Sequence, residues 1–237
     1  MTVEEIINEL LALSDPSKIA DLERYAIKTP KAFGIRAPEL KAFAREIKKL
    51  VPDRHKAALD LWSTGIYDAR AVAFLIDDKN RVTREQMDEW AADFDNWATV
   101  DGACGYLFCR TPFAYEKAFE WSERTPEFEK RAGFSLMAYL AVHDKKASDE
   151  QLAAFLPVIE QHADDDRNFV KKAVNWALRQ LGKRNLHLNE LAIEAGKRIK
   201  SQNTSSARWI AADALRELTS ETTKERLIQK STLVKPR

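Results

Sequence analysis

The chain contains few of the residues that interrupt helices or cross-link small folds. Its 237 residues include only 7 glycines, 8 prolines and 2 cysteines. Scarce glycine and proline, combined with 32% charged residues and many Ala, Leu, Glu and Lys, favour helices over strands. The length and the 45% hydrophobic content are sufficient to bury a sizeable core. We therefore predict an all-α protein.

The sequence also lacks a long apolar segment. No run approaches the roughly 20 apolar residues that a bilayer-crossing helix needs, and the opening MTVEEIINEL is acidic and amphipathic, unlike a signal peptide. We expect a cytoplasmic protein. Cys104 and Cys109 are five residues apart on one predicted helix, a spacing that suits neither a metal site nor a structural disulfide. The net charge of +1 neither supports nor excludes an anionic partner.

Helix start signals divide the chain into about a dozen predicted helices. No Gly/Ser-rich linker and no shift in composition marks a domain boundary. We expect one helical domain over residues 1–230 and a flexible tail over residues 231–237. The start signals are Ser14-Asp15-Pro16, Ala37-Pro38, Pro52-Asp53, Asp95-Asn96, Thr111-Pro112, Thr125-Pro126, Ser148-Asp149 and Thr204-Ser205.

Two short sequence echoes indicate a helical repeat. ALRQL at residues 177–181 recurs as ALREL at residues 214–218, an offset of 37 residues, and EKRA at 129–132 resembles VKKA at 170–173. Offsets of this size are typical of HEAT-like helix pairs, which stack into a curved solenoid with one long concave face. An irregular helical bundle remains the alternative.

One predicted helix, residues 168–182, carries a tryptophan away from its apolar face. Trp176 has Lys172, Arg179 and Lys183 as its helical neighbours, and Arg184 follows at the helix end. An indole among cations resembles a surface that binds nucleic acid. The alternative is a half-buried tryptophan between repeats with solvated cations, and spacing leaves both open. The apolar face comprises Val170, Ala173, Val174, Ala177, Leu178 and Leu181.

A second predicted helix begins at Trp97 and places Asp101 on the same face, one turn later. Both lie at the edge of its apolar stripe. A structural explanation is available for both: the Trp97 indole packs against the core, and the Asp101 carboxylate complements the helix dipole. The functional alternative is a site that attracts positive charge, because carboxylates and aromatic faces both do so. The stripe comprises Val100, Ala103, Cys104, Leu107 and Phe108.

Trp209 and Asp213 have the same spacing on a later predicted helix, where Trp209 lies beside Arg208. Spacing alone does not rank the two pairs. A further candidate is the connection at residues 31–38, which carries Arg36. Its backbone N–H groups suit a phosphate, but a plain connecting loop is the alternative.

The four histidines lack metal-ligand spacing, and the sequence contains no Gly-rich phosphate loop and no GxSxG motif. We expect neither a metal nor a cofactor.

In combination, these motifs resemble the bacterial AlkD-type DNA alkylation repair proteins, the HEAT-like-repeat alkylpurine DNA glycosylases. The resemblance runs along most of the chain. It rests on four segments in order: Phe33-Gly34-Ile35-x-x-Pro38, Trp97-x-x-x-Asp101, Lys130-Arg131-Ala132, and Lys172-Ala173-x-x-Trp176-x-Leu178-Arg179.

The resemblance implies a basic concave face that grips duplex DNA and a catalytic cleft formed by Trp97, Asp101 and Trp176. It also implies hydrolysis of N3- and N7-alkylated purines without metal or cofactor, leaving an abasic site. Trp97 and Asp101 thereby rank above Trp209 and Asp213. The expected DNA-binding residues, taken from the resemblance and from the basic surfaces, are Arg131, Lys172, Arg179, Lys183, Arg184, Arg36 and Arg208.

The sequence departs from the family pattern beside the motif tryptophan. Members often carry an aromatic before it and an acid after it, and this chain has Asn96 and Ala98. Three functions therefore stay open: an alkylpurine glycosylase acting on double-stranded DNA, a non-catalytic relative that binds distorted or branched DNA, and a protein–protein scaffold. We expect a monomer with no obligate protein partner.

Overall fold

The computed structural model describes residues 1–29 and 31–233, and within these residues it contains fifteen α-helices and no β-strand. The predicted all-α fold is confirmed. Contacts between residues divide the chain into an N-terminal unit, Met1–Phe113, and a C-terminal unit, Ala114–Arg237. The last helix reaches Leu233, and the rest of the expected tail, residues 234–237, lies outside the described residues.

The N-terminal unit contains seven α-helices and two short 3₁₀ turns, at Pro16–Lys18 and Phe108–Arg110. Helices α3, α5 and α7 form one row in which α5 packs on both neighbours, and α1 and α4 also pack on α5. The helices are α1 (Val3–Ala12), α2 (Ile19–Arg24), α3 (Ala37–Leu50), α4 (Arg54–Ser63), α5 (Tyr67–Ile76), α6 (Arg84–Ala92) and α7 (Trp97–Tyr106).

The C-terminal unit is built from two rows of helices. One row is α9, α12 and α14, and the other is α8, α11 and α13, with α15 packed against α13 and α14. The helices are α8 (Ala114–Ser122), α9 (Glu127–His143), α10 (Asp149–Ala153), α11 (Phe155–Gln161), α12 (Asn168–Gly182), α13 (Leu186–Ser201), α14 (Ser205–Leu218) and α15 (Glu221–Leu233).

The sequence echoes lie on one of these rows. Residues 129–132, 170–173 and 214–218 belong to α9, α12 and α14, which pack in series. The offset of 37 residues therefore measures the distance along the chain from one helix of the row to the next.

Seven of the described α-helices begin at a polar side chain that accepts a backbone N–H of the first turn, and four of these starts were predicted from the sequence. Asp53 accepts from the amide of Lys56, and Ser148 accepts from that of Gln151. Asn96 accepts from the amide of Thr99 at the start of α7. The other side-chain caps of this kind on α-helices are Thr2, Thr83, Asn185 and Thr204.

The predicted apolar faces form the core. Helix α12 has the predicted bounds, and all six residues of its apolar face are fully buried. The α7 stripe is also buried, but α7 ends at Tyr106, so Leu107 and Phe108 reach the core from the turn that follows. Cys104 and Cys109 are both buried, and Cys109 lies on this turn and not on the helix.

Candidate nucleic-acid interface

Trp97 and Asp101 share the half-buried face at the start of α7. Glycine allows α7 to approach α5 closely, since a Cβ on Gly102 would lie only 2.3 Å from the ring of Phe74. A bulkier residue at position 102 would displace the Phe74 ring or α7 itself, which carries the adjacent Asp101. Asp101 therefore lies next to a close packing contact between α7 and α5.

The orientation of the Trp97 ring is set by a partner that is 72 residues away in the sequence. Its indole Nε1–H donates a hydrogen bond of 2.9 Å to the backbone carbonyl of Tyr25, the residue that follows α2. The Tyr25 side chain is 59% exposed, with the guanidinium of Arg24 5.6 Å from its ring centroid. Tyr25 is not among the predicted site residues, because a backbone carbonyl leaves no sequence signal.

An open cavity of about 550 Å³ lies between α2 and the start of α7. Its lining combines the carboxylates of Glu23 and Asp95 with aliphatic side chains and one lysine. Asp95 also accepts a hydrogen bond of 2.7 Å from the side-chain amide of Asn96. The remaining lining residues are Ile19, Leu22, Ile27, Lys28 and Thr29.

The connection before α3 is held by a buried carboxylate on α5. Asp68, fully buried, accepts the backbone N–H of Phe33 at 2.6 Å and that of Ile35 at 3.1 Å. Burial raises the pKa of Asp68, and these backbone hydrogen bonds oppose the rise. Gly34 has a φ of +79° and no room for a Cβ beside the Asp15 carbonyl. The two amides are thus bound internally, which favours the plain connecting loop over a phosphate cradle.

Trp176 in the C-terminal unit packs against another aromatic ring. Tyr139 on α9 and the Trp176 indole form an edge-to-face pair with a centroid distance of 4.9 Å and an interplanar angle of 83°. Of its predicted basic neighbours, Lys172 is exposed to solvent. Trp176 itself stays half-buried, which combines the packing and surface alternatives left open by spacing.

The other two cations beside Trp176 are paired with acids one helix further along the row. Arg179 contacts Asp213 at 3.1 Å and also Glu217, and Lys183 contacts Glu217 at 3.0 Å. Burial alone would raise the pKa of Glu217, but hydrogen bonds from Arg179 and Lys183 lower it below its ordinary value. The predicted basic face is therefore partly neutralised by α14.

Arg131 and Arg184 both donate hydrogen bonds to backbone carbonyls of a neighbouring helix, and Arg131 is buried whereas Arg184 is half-buried. Arg131 is 6% exposed and donates to the Phe169 carbonyl at 2.8 Å, which ties α9 to the first turn of α12. Arg184 donates to the carbonyls of Ala141 at 3.2 Å and Asp144 at 2.7 Å, at the end of α9.

The second tryptophan–aspartate pair, Trp209 and Asp213, lies on α14, and its two members have different contacts. Asp213 accepts from the side-chain amide of Asn175 at 2.7 Å in addition to its ion pair with Arg179. Trp209 is 40% exposed, with the Lys171 ammonium 5.3 Å from its ring centroid. Asp213 thus serves the contact between α12 and α14.

The two remaining predicted cations lie on the surface. Arg208 donates to the backbone and side chain of Asn203, and Arg36 pairs with Glu39. Across residues 1–29 and 31–233, no group of three or more His, Cys, Asp or Glu side chains is arranged to hold a metal ion. None of the described helices is long and apolar enough to span a membrane.

Comparison with known proteins decides the family. The model of the DNA alkylation repair enzyme family matches residues 6–218. The chain belongs to this family. An uncharacterized protein of Listeria innocua is 22% identical over 201 residues, covering 84% of this chain and 87% of the relative.

A solved structure shares the fold with a TM-score of 0.77 at 21% identity, covering 96% of both chains. That protein represents a family related to the HEAT-like repeat DNA glycosylases, with affinity for branched DNA structures. The predicted HEAT-like repeat fold is therefore confirmed. In this DNA alkylation repair family member, Asn96 stands before the motif tryptophan and serves as the cap of α7, with 1% of its surface exposed.

Proposed function

We propose that the protein hydrolyses the N-glycosidic bond of cationic N3- and N7-alkylated purines in duplex DNA. The observation that carries this proposal is the face of α7, where the oriented Trp97 ring and the Asp101 carboxylate lie one helical turn apart. Membership of the DNA alkylation repair enzyme family supports the choice of substrate class.

The chemistry matches these residue types. An alkylated purine already carries positive charge, so it departs without protonation by the enzyme. As the base leaves, positive charge develops on the sugar, and a carboxylate stabilises that charge or orients a water at the anomeric carbon. Asp101 takes this part. Trp97 contacts the sugar or the cationic base through its aromatic face, a contact worth roughly 0.5 to 2 kcal/mol.

The electrostatics around the start of α7 agree with a cationic ligand. Asp95 and Glu23 line the neighbouring cavity, which adds two carboxylates to the surroundings of Trp97 and Asp101. Negative charge of this kind favours the alkylated base over the unmodified neutral one.

The surface cations supply contacts to the DNA backbone in this proposal. Lys172, Arg36 and Arg208 are exposed, so they are the best placed of the predicted set to meet phosphates. Trp176 provides a further aromatic contact. Arg131, by contrast, acts through the position of α9 and not by touching a phosphate. The protein works as a monomer without metal or cofactor.

The test is release of 7-methylguanine from duplex DNA under single-turnover conditions. Asp101→Asn is expected to slow release by about 10²-fold or more, since a group that stabilises developing charge is removed, while DNA affinity changes less than twofold. Asp60→Asn, which removes a negative charge from the exposed surface of α4, serves as the matched control. Absence of release by the wild-type protein rejects the proposal.

A second candidate is a protein that binds branched DNA without excising bases. The structural neighbour has such affinity, and Asn96 and Ala98 depart from the pattern of the excising members. Tight, salt-dependent binding of a four-way junction by wild-type protein that releases no alkylated base would select this function.

A further inference from the structure

A group of five cations surrounds one cavity in the C-terminal unit. The cavity has a volume of about 590 Å³ and an apolar floor that includes Ala141, Val142 and Leu227. We call it the basic pocket and define it by its cations, which are Lys145, Lys183, Arg184, Arg226 and Lys230.

The basic pocket follows from where the helices end. Lys145 comes just after α9, and Lys183 and Arg184 come just after α12. Arg226 and Lys230 are four residues apart on α15, so they share one face of that helix. Three elements therefore bring positive charge to the same cavity.

Backbone carbonyls orient several of these cations without neutralising them. Arg184 donates to two carbonyls at the end of α9, Lys145 donates to the Val142 carbonyl, and Lys230 donates to the Lys183 carbonyl at 2.9 Å. A helix C-terminus carries only about half a negative charge. The carbonyls therefore position the cations and leave most of their charge uncompensated.

Acidic partners are scarce around the basic pocket. Lys183 pairs with Glu217, which is shared with Arg179. In the part of the chain that the structure describes, no carboxylate lies within ion-pair distance of Lys145, Arg184, Arg226 or Lys230. Burial lowers the pKa of Lys230, and the four other cations of the pocket lower it further.

We propose that the basic pocket is a phosphate-binding site, and that its ligand is a pair of neighbouring phosphodiesters in a DNA backbone. Two features select phosphate. An arginine guanidinium can donate two parallel hydrogen bonds to two oxygens of one phosphate, and the lysine ammonium groups add positive charge around it. A polyanion also compensates several cations at once. The assignment of DNA rests on the proposed function, whereas the assignment of phosphate rests on the pocket alone.

The test compares two double variants that remove the same charge. Arg226→Gln with Lys230→Gln alters the basic pocket, and Lys197→Gln with Lys200→Gln alters an exposed stretch of α13 outside it. Binding to a labelled duplex and to a four-way junction is measured by fluorescence anisotropy across a salt series. Pyrophosphate binding is measured by calorimetry in phosphate-free buffer.

For the pocket variant, we expect the negative slope of log affinity against log salt concentration to become shallower by about 2. Each lost phosphate contact reduces the magnitude of this slope by roughly 0.9. The control variant should keep the wild-type slope. Equal slopes in the two variants overturn the proposal. If the pocket variant does not fold, Lys145→Gln replaces it, with an expected change of about 1 and Lys200→Gln as its control.

Failure of the proposed function is distinguishable from failure of the pocket. If wild-type protein binds no DNA, the proposed function is rejected and the pyrophosphate measurement decides the pocket. Pyrophosphate binding by the wild type and the control, but not by the pocket variant, then identifies a site for a free oligophosphate. No pyrophosphate binding by the wild type overturns the phosphate site.

Discussion

Trp97 in the N-terminal unit and Trp176 in the C-terminal unit have side chains of opposite charge around them. In the N-terminal unit, Trp97 is fixed by the Tyr25 carbonyl and lies near carboxylates that include Asp101. In the C-terminal unit, Trp176 packs edge-to-face with Tyr139 and lies near the exposed Lys172 and the acid-paired Arg179 and Lys183. The same residue type is therefore held by a hydrogen bond in one unit and by aromatic packing in the other.

This difference suggests a division of labour. Negative charge beside an aromatic ring suits a cationic base, and positive charge suits the phosphates on either side of it. Under the proposed function, we expect the N-terminal unit to provide the chemistry and the C-terminal unit most of the affinity for the DNA backbone. Variants of each unit test this division.

The largest expected effect comes from the carboxylate that supports the N-terminal unit. Asp68→Ala leaves the backbone amides of Phe33 and Ile35 without their buried acceptor. We expect the free energy of unfolding to fall by about 3 kcal/mol, since a charged acceptor contributes roughly 1.5–3 kcal/mol per hydrogen bond. Urea denaturation followed by circular dichroism measures this. A loss below about 1 kcal/mol, comparable to that of exposed Asp60→Ala, would contradict the role of Asp68.

A smaller effect separates the two tryptophans. Trp97→Phe keeps an aromatic ring but removes the hydrogen bond to Tyr25, which is worth about 1 kcal/mol, so base release should slow roughly fivefold. Trp176→Phe keeps the aromatic packing against Tyr139 and should change release less than about twofold. Single-turnover kinetics on both variants, with folding checked by thermal melting, provide the comparison. A larger effect at position 176 would break the proposed division.

The smallest expected effect concerns acid stability in the C-terminal unit. The folded-state pKa of Glu217 lies below its ordinary value of 4.5, so its ion pairs stabilise the fold above about pH 4.5 and are lost as the pH falls through the folded pKa. Glu217→Gln should therefore lower the melting temperature by a few degrees at pH 7. That difference should shrink toward zero near pH 3. Exposed Glu190→Gln is the control, and a difference independent of pH would count against the ion pairs.

The site was only partly predictable from the sequence. Helical spacing placed Trp97 and Asp101 on one face and located the cap at Asn96, because these relations are local. The partners of Arg179 and Lys183 were missed because they lie 34 to 38 residues away on α14. The 37-residue echo was a usable signal for them, since side chains one repeat apart are neighbours when helices stack.

The sequence by itself determined the elements of this protein. Scarce glycine and proline, polar caps and apolar stripes specify the helices and the buried face of α12. Each of these follows from hydrogen bonds within a turn or from apolar burial at helical spacing.

Tertiary structure alone decided how the Trp97 ring is oriented and which charged side chains lie close together. Only packing brings the Tyr25 carbonyl to Trp97, buries Arg131 against the Phe169 carbonyl and gathers the five cations of the basic pocket. The physical reason is that such contacts join residues distant along the chain. Their energy depends on distance and burial in space, which spacing within one helix does not reveal.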